Sequence, residues 1–209
     1  VTIYAILIYD GVEPIDLGAT FGVLSMARRV EPSIAAFGVA REAGPVRCAN
    51  GLTVMADYGY GDCPAFDALI VTGGPGWPTA AAGPLTRRFL AGLPQETALA
   101  SICTGAMILA AAGRLDGLDA TTKAEVIGEE RPPLEVLAGT YPRIKTHRAV
   151  AVRSGGIVTS GGVSLGIDGV LYLLRQIEGE KVMAETARIL EYGRALEANA
   201  RALPPLGFA

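Results

Sequence analysis

Histidine is nearly absent from this sequence: His147 is the single one in 209 residues. Cysteine is scarce too, with Cys48, Cys63 and Cys103 at irregular spacing. A lone imidazole excludes a multi-histidine metal centre. An odd, irregular set of thiols offers neither a disulfide framework nor a zinc pattern, so reduced cysteines in a cytoplasmic setting are the expectation. Charged residues make up only 19% and the net charge is −3, so there is no basic field for a nucleic-acid partner. Long apolar runs are also missing. The longest, residues 98–113, falls short of the ~18–20 residues that cross a bilayer, and Ser101, Cys103 and Thr104 interrupt it. No basic stretch leads into an apolar one at the start, so neither a secretory signal nor a membrane partner is expected.

What is present is a hydrophobic half and 27 glycines. The first excludes disorder as a description of the whole chain. The second, nearly twice the usual ~7%, points to tight turns and close backbone approaches. One domain over residues 1–202 is expected, with 203–209 as a frayed tail.

Apolar runs of strand length alternate with amphipathic segments of helix length. Residues 2–9 read as a strand buried on both faces, and 16–28 as a helix with Asp16 as its cap. Residues 33–39 make a second strand, and 46–49 with 52–56 flank the hairpin signal Asn50-Gly51. Residues 68–72 form a strand ending in Gly73-Gly74-Pro75-Gly76, before a helix over 84–93. Residues 98–102 run directly into a helix over 104–112 that stops at Gly113. Residues 125–137 read as helical, broken by Pro132-Pro133. Two strands, 149–153 and 156–160, precede helices over 164–177 and 180–196. This alternation predicts an α/β fold, a three-layer sandwich with helices on both faces of a mainly parallel sheet. Its chemistry belongs at the carboxyl ends of the strands.

Three features fall at such ends. Cys103, in Ala100-Ser101-Ile102-Cys103-Thr104-Gly105-Ala106, sits at a strand–helix junction. A sharp turn there projects the side chain, and the helix N-terminus behind it favours thiolate. The turn follows nucleophile-elbow logic without the preceding glycine; the alternative is a small buried hydrophobe. Gly73-Gly74-Pro75-Gly76 supplies backbone N–H groups for an anion nest, or is an ordinary turn. Asp16 holds or shuttles a proton near the thiol, or caps the helix. Trp77 lines a pocket or packs. His147, among Lys145, Arg143 and Arg148, reads as a solvated surface residue, and Asp168 as structural. Cys48 and Cys63 have no evident partner.

Taken in order, DGVEPIDL, DALIVTGGPG, SICTGAMILAAAGRLDG and GIVTSGGVSLGIDGVLYLL resemble the ThiJ/PfpI superfamily over almost the whole chain. The resemblance implies a flavodoxin-like, glutamine-amidotransferase-like fold, a homodimer, Cys103 as nucleophile and Asp16 as its acidic partner. It also implies an anion site from the backbones of Gly74 and Thr104. Thr104 after the cysteine and Asp as the acid are similar to isocyanide hydratase and to the amino-terminal domains of AraC-type regulators. Those regulators carry a further helix-turn-helix domain, which is not expected here. The hydratase resemblance implies attack of Cys103 on an isocyanide carbon, a thioimidate intermediate and release of an N-substituted formamide, without metal or cofactor. Thr104 would orient the water or the carboxyl. One departure stands out: Thr121-Thr122 is followed by Lys123-Ala124 where such relatives often have His-Trp. The other readings are a cysteine-oxidation sensor and a regulator-like protein that binds a small molecule.

Overall fold

The computed structural model describes residues 1–208. In chain order its elements begin with β1 (Thr2–Leu7), α1 (Pro14–Val30), β2 (Ile34–Ala40), β3 (Gly44–Arg47), β4 (Thr53–Ala56) and β5 (Tyr58–Gly59). Next come β6 (Ala68–Val71), α2 (Trp77–Ala82), α3 (Pro84–Ala91), β7 (Ala98–Ser101), α4 (Gly105–Ala111) and β8 (Asp119–Ala120). The chain ends with α5 (Pro133–Thr140), β9 (Lys145–Thr146), β10 (Ala151–Ser154), β11 (Ile157–Ser160), α6 (Leu165–Glu178), α7 (Glu180–Ile189) and α8 (Gly193–Ala202).

Seven strands form the main sheet in the order β10-β11-β7-β6-β1-β2-β5. Every pairing is parallel except β10 with β11. Tyr4 to Leu7 of β1 and all of β6 are buried, as strands covered on both faces must be. Helices α1, α6 and α7 pack together on one face, and α2, α3 and α4 on the other. The fold is therefore the expected α/β sandwich. From β1 the chain steps outward to β2, then returns to lay β6 on the opposite side of β1. That reversal opens a crevice at the carboxyl ends of β1 and β6, where ligands bind in sheets of this kind.

Several local expectations are corrected. Helix α1 starts at Pro14, a favoured first position because proline has no N–H to leave unpaired. Glu13 is the cap residue, and Asp16 is drawn into the first turn with no exposed surface. Asp16 is thus a buried side chain and not the cap. Helix over 125–137 is absent until Pro133, since the proline pair withholds backbone donors and fits only a first turn. The last long helix is two, α7 and α8, parted where Glu191 adopts a left-handed φ of 56°. The break lets the Tyr192 hydroxyl and the Asn199 amide reach the buried Asp168 carboxylate, at 2.7 and 3.0 Å. Asn50 and Gly51 do turn with positive φ, but strand pairing closes only at Arg47 and Thr53.

The tail does not fray through residue 208. Val150 N–H donates to the Leu203 carbonyl, Leu206 and β10 exchange backbone bonds, and the Phe208 ring lies 4.5 Å from that of Tyr172. Ala209 lies outside the described residues. Among the described residues no helix is long and apolar enough to cross a membrane.

Candidate active site

Four loops meet at the crevice: residues 8–13 after β1, 72–76 after β6, 102–104 after β7 and 161–164 after β11. Backbone bonds tie the first two together, from Glu13 N–H to Gly73 O at 2.9 Å and from Gly76 N–H to Gly11 O at 3.0 Å. So close an approach excludes side chains. A Cβ on Gly74, whose φ is +146°, would lie 2.3 Å from the Glu13 nitrogen.

Cys103 occupies the strand–helix junction with a left-handed φ of 55°. A non-glycine residue there carries strain of roughly 1–3 kcal/mol and persists only when its surroundings fix it. They do so from three directions. Its N–H donates to Gly161 O at 3.2 Å, the Thr122 hydroxyl donates to its carbonyl at 2.6 Å, and the flanking Ile102 N–H donates to Val71 O at 2.9 Å. Behind the sulfur, Gly73 leaves room for nothing larger. A Cβ on it would stand 2.6 Å from Thr104 N and 2.7 Å from both Asp16 Oδ2 and Cys103 Cβ.

Asp16 is therefore packed against the nucleophile candidate, as supposed from their shared strand-end location. Its Oδ2 accepts the Gly73 N–H at 3.1 Å, while Oδ1 is buried without a hydrogen-bond partner. Burial pushes its pKa up to about 6, against the opposing pull of the Cys103 thiol and the Gly73 N–H. Burial likewise pushes the Cys103 thiol up to about 12, with the Asp16 carboxylate adding to the rise. The backbone N–H groups of Thr104 and Val163 and the Lys123 ammonium act in the other direction. Near neutral pH the pair thus shares one proton.

The expected anion site is arranged differently. The Gly74 N–H is engaged by Thr104 Oγ1 at 2.9 Å, and the Gly73 N–H by Asp16. The donors that face the sulfur belong to Thr104 and Val163. Thr104 keeps its hydroxyl on Gly74 in this arrangement. Trp77 is half-buried and lines the cleft into which Cys103 opens. That cleft has a volume of about 650 Å³, with Ile15, Trp77, Val126, Pro133 and Val136 as apolar walls and Glu13, Lys123, Glu130 and Arg131 as charged ones. A second cleft of about 520 Å³, beside Tyr9, Arg41 and Tyr60, holds no cysteine.

Three neighbours escaped the sequence reading. Tyr9 donates to Thr72 O at 3.1 Å beside the pair, and burial and the Asp16 charge hold its pKa well above the usual range. Thr122 acts through its hydroxyl on a backbone carbonyl, and Val163 through its own backbone N–H. Val163 has its own left-handed φ of 60° within the Gly161-Gly162 turn, the one signal that was visible. Replacing Thr122 with valine removes the bond that holds the Cys103 carbonyl. We expect Thr122→Val to cost about 1–2 kcal/mol of stability and to lower kcat while leaving KM little changed, as measured by thermal unfolding and steady-state kinetics on the proposed substrate.

Away from the cleft, His147 is half-exposed and meets Asp119 Oδ1 at 2.6 Å. Cys48, Cys63 and Cys103 are all free thiols. Among the described residues no group of three or more His, Cys, Asp or Glu side chains could hold a metal ion.

Residues 3–176 match the DJ-1/PfpI family. The isonitrile hydratase of Pseudomonas putida is 31% identical over 195 residues, which covers 90% of this chain and 78% of that protein. The HTH-type transcriptional regulator GbdR of Pseudomonas aeruginosa is 28% identical over 149 residues, 71% of this chain but 39% of the regulator. The crystal structure of Drosophila melanogaster DJ-1beta superposes with a TM-score of 0.75, covering 90% of this chain and 97% of its own, at 18% identity.

Proposed function

We propose, starting from the fact that this chain belongs to the DJ-1/PfpI family, that it is a cysteine enzyme of the isocyanide hydratase type. It adds water to an isocyanide to give an N-substituted formamide, with no cofactor. The observation that carries this reading is the Cys103–Asp16 pair: a strained thiol facing a cleft, backed by a buried carboxyl with one oxygen unpartnered. The 31% identity to an isonitrile hydratase supports it.

In this mechanism the Cys103 sulfur forms a bond to the terminal carbon of R–N≡C as Asp16 accepts the thiol proton. Asp16 then delivers that proton to the same carbon, giving the thioimidate R–N=CH–S–Cys103. Water adds to this carbon, with Asp16 taking a proton. The remaining hydroxyl proton passes to nitrogen as the C–S bond breaks, and R–NH–CHO leaves. Sulfur departs as thiolate toward the Thr104 and Val163 N–H groups and regains its proton from Asp16. Should the Thr104 hydroxyl turn toward the water, the Gly74 N–H is freed for the developing negative charge, while Gly73 keeps Asp16 in place. Trp77, Ile15 and Val136 hold the R group. We further infer a cytoplasmic, homodimeric protein, on the strength of three free thiols and of membership of the DJ-1/PfpI family.

The test is incubation with an aryl isocyanide, following formamide by absorbance and mass beside Cys103→Ala. Formamide production that depends on Cys103 is the expected result. Its absence with Cys103 reduced overturns the hydratase reading. A ligand-binding role would then rest on the likeness to regulators and require saturable binding without turnover. A peroxide sensor would instead require selective oxidation at Cys103, read by peroxide titration with intact mass and lost in Cys103→Ser.

A further inference from the structure

Lys123 is bonded into the chain directly after Thr122, whose hydroxyl holds the Cys103 carbonyl, so its backbone is tied to that of the nucleophile. Its side chain runs past Gly162. A methyl group on Gly162 would lie 2.9 Å from both Cβ and Cγ of Lys123 and 3.1 Å from Cys103 Sγ. The lysine stem and the sulfur thus flank one glycine and face one cleft. Lys123 is half-buried, and it takes part in none of the ion pairs among the described residues. A partly desolvated ammonium with no ion-pair partner favours an incoming anion.

The other charges of the cleft do not cancel it at the reacting atom. Glu130 and Arg131 are exposed at the mouth, where water and salt screen them. Glu13 and Lys123 both act on Asp16, which does not line the cleft, and of the cleft's own charges only Lys123 acts on the sulfur. A ligand that reaches Cys103 therefore meets Lys123 on the Gly162 side, with Glu13 among otherwise apolar inner walls. We propose that Lys123 makes this cleft selective for small electrophiles that carry a carboxylate. That the electrophile is an isocyanide rests on the function proposed above; the anionic handle does not.

Two alkylating reagents separate these claims. Iodoacetate and iodoacetamide react alike: the sulfur–carbon bond forms, the carbon–iodine bond breaks, iodide leaves and the thiol proton goes to solvent. They are similar in size and differ by one negative charge. Both rates scale with the thiolate fraction, so their ratio at Cys103, read by peptide mass, is insensitive to any change in its ionisation. In Lys123→Met the ratio of iodoacetate to iodoacetamide should fall roughly three- to tenfold, the effect of one unit charge a few ångströms away in a half-solvated cleft. In Lys123→Arg it should be retained. A ratio unchanged in Lys123→Met overturns the inference, whatever the enzyme turns over.

The second arm compares isocyanoacetate with its methyl ester by kcat/KM. The acid should be preferred by the wild type and lose that preference in Lys123→Met. A preference for the ester in both proteins overturns the substrate class. If neither isocyanide is hydrated while the alkylation ratio falls as stated, the hydratase reading fails and the selectivity for anions stands.

Discussion

Asp16→Asn is expected to lower kcat/KM for isocyanide hydration by 10²–10⁴-fold, the usual range for removing a positioned proton carrier, while making the protein more stable at neutral pH. Asparagine keeps the shape and an acceptor for the Gly73 N–H, so the loss reads the missing proton transfer and not a cavity. The pH profile gives the same information independently. Asp16 accepts the thiol proton only as carboxylate, so wild-type kcat/KM should rise with pH through about 6. The pair keeps its remaining proton until the Cys103 thiol titrates near 12, so a plateau follows across pH 7–10. Activity that falls above pH 6 would show a protonated Asp16 acting as the acid, and would overturn the order of steps.

The stability half of that prediction follows from the same burial. The folded pKa of Asp16 is raised above its ordinary value of 3.8 to about 6, so between these pH values the folded state binds a proton that the unfolded state releases. Stability therefore falls as pH rises across this window, and above it the full cost of burying the charge, about 3 kcal/mol, is present. Asparagine carries no such cost. Its gain in Tm should be larger at pH 7.5 than at pH 4.5, and a gain independent of pH would mean that Asp16 is not ionised in the fold. A site held ready at the expense of stability is common in enzymes.

Much of this architecture was legible because the signals are local. The apolar runs of β1 and β6 announce strands covered on both faces, and the small residues after Cys103 announce a helix pressed against the sheet. Where reading failed, the deciding contact lies far along the chain. Near Glu191 only Gly193 hints at a helix break; the break is fixed by Tyr192 and Asn199 reaching Asp168, 24 and 31 residues away. Residues 203–208 look frayed in isolation and are ordered by the edge of β10. At the site, Asp16 was recognisable as a carboxyl after the first strand, but its burial depended on Pro14 starting the helix early. Gly74 looked like an anion donor because its sequence says only that its N–H is accessible. That Thr104 occupies it is a statement about two loops 30 residues apart.

Glycine-to-alanine changes at three positions should give three different outcomes, and the contrast separates the scaffold from the site. At Gly105 an added Cβ would lie 2.0 Å from the carbonyl oxygen of Val71 and 2.8 Å from its carbon, both backbone atoms of β6. Neither can yield without lifting α4 off the sheet. We expect Gly105→Ala to cost more than about 3 kcal/mol, at or beyond the upper end for overpacking, and to appear as loss of soluble protein or a large fall in Tm. At Gly73 the collisions are with Thr104 N, Asp16 Oδ2 and Cys103 Cβ, all members of the site, and the Asp16 oxygen, at the end of its side chain, can shift. Gly73→Ala should fold with a smaller loss of Tm yet lose at least 10²-fold in kcat/KM, because it parts the carboxyl from the thiol. At Gly18, on the exposed side of α1, nothing lies within 4 Å. There alanine should stabilise by about 0.5–1 kcal/mol through helix propensity and leave turnover unchanged. If Gly73→Ala retained full activity, Asp16 and Cys103 would not be acting as a pair packed across that glycine, and the proton path through Asp16 would have to be abandoned even with Cys103 still required.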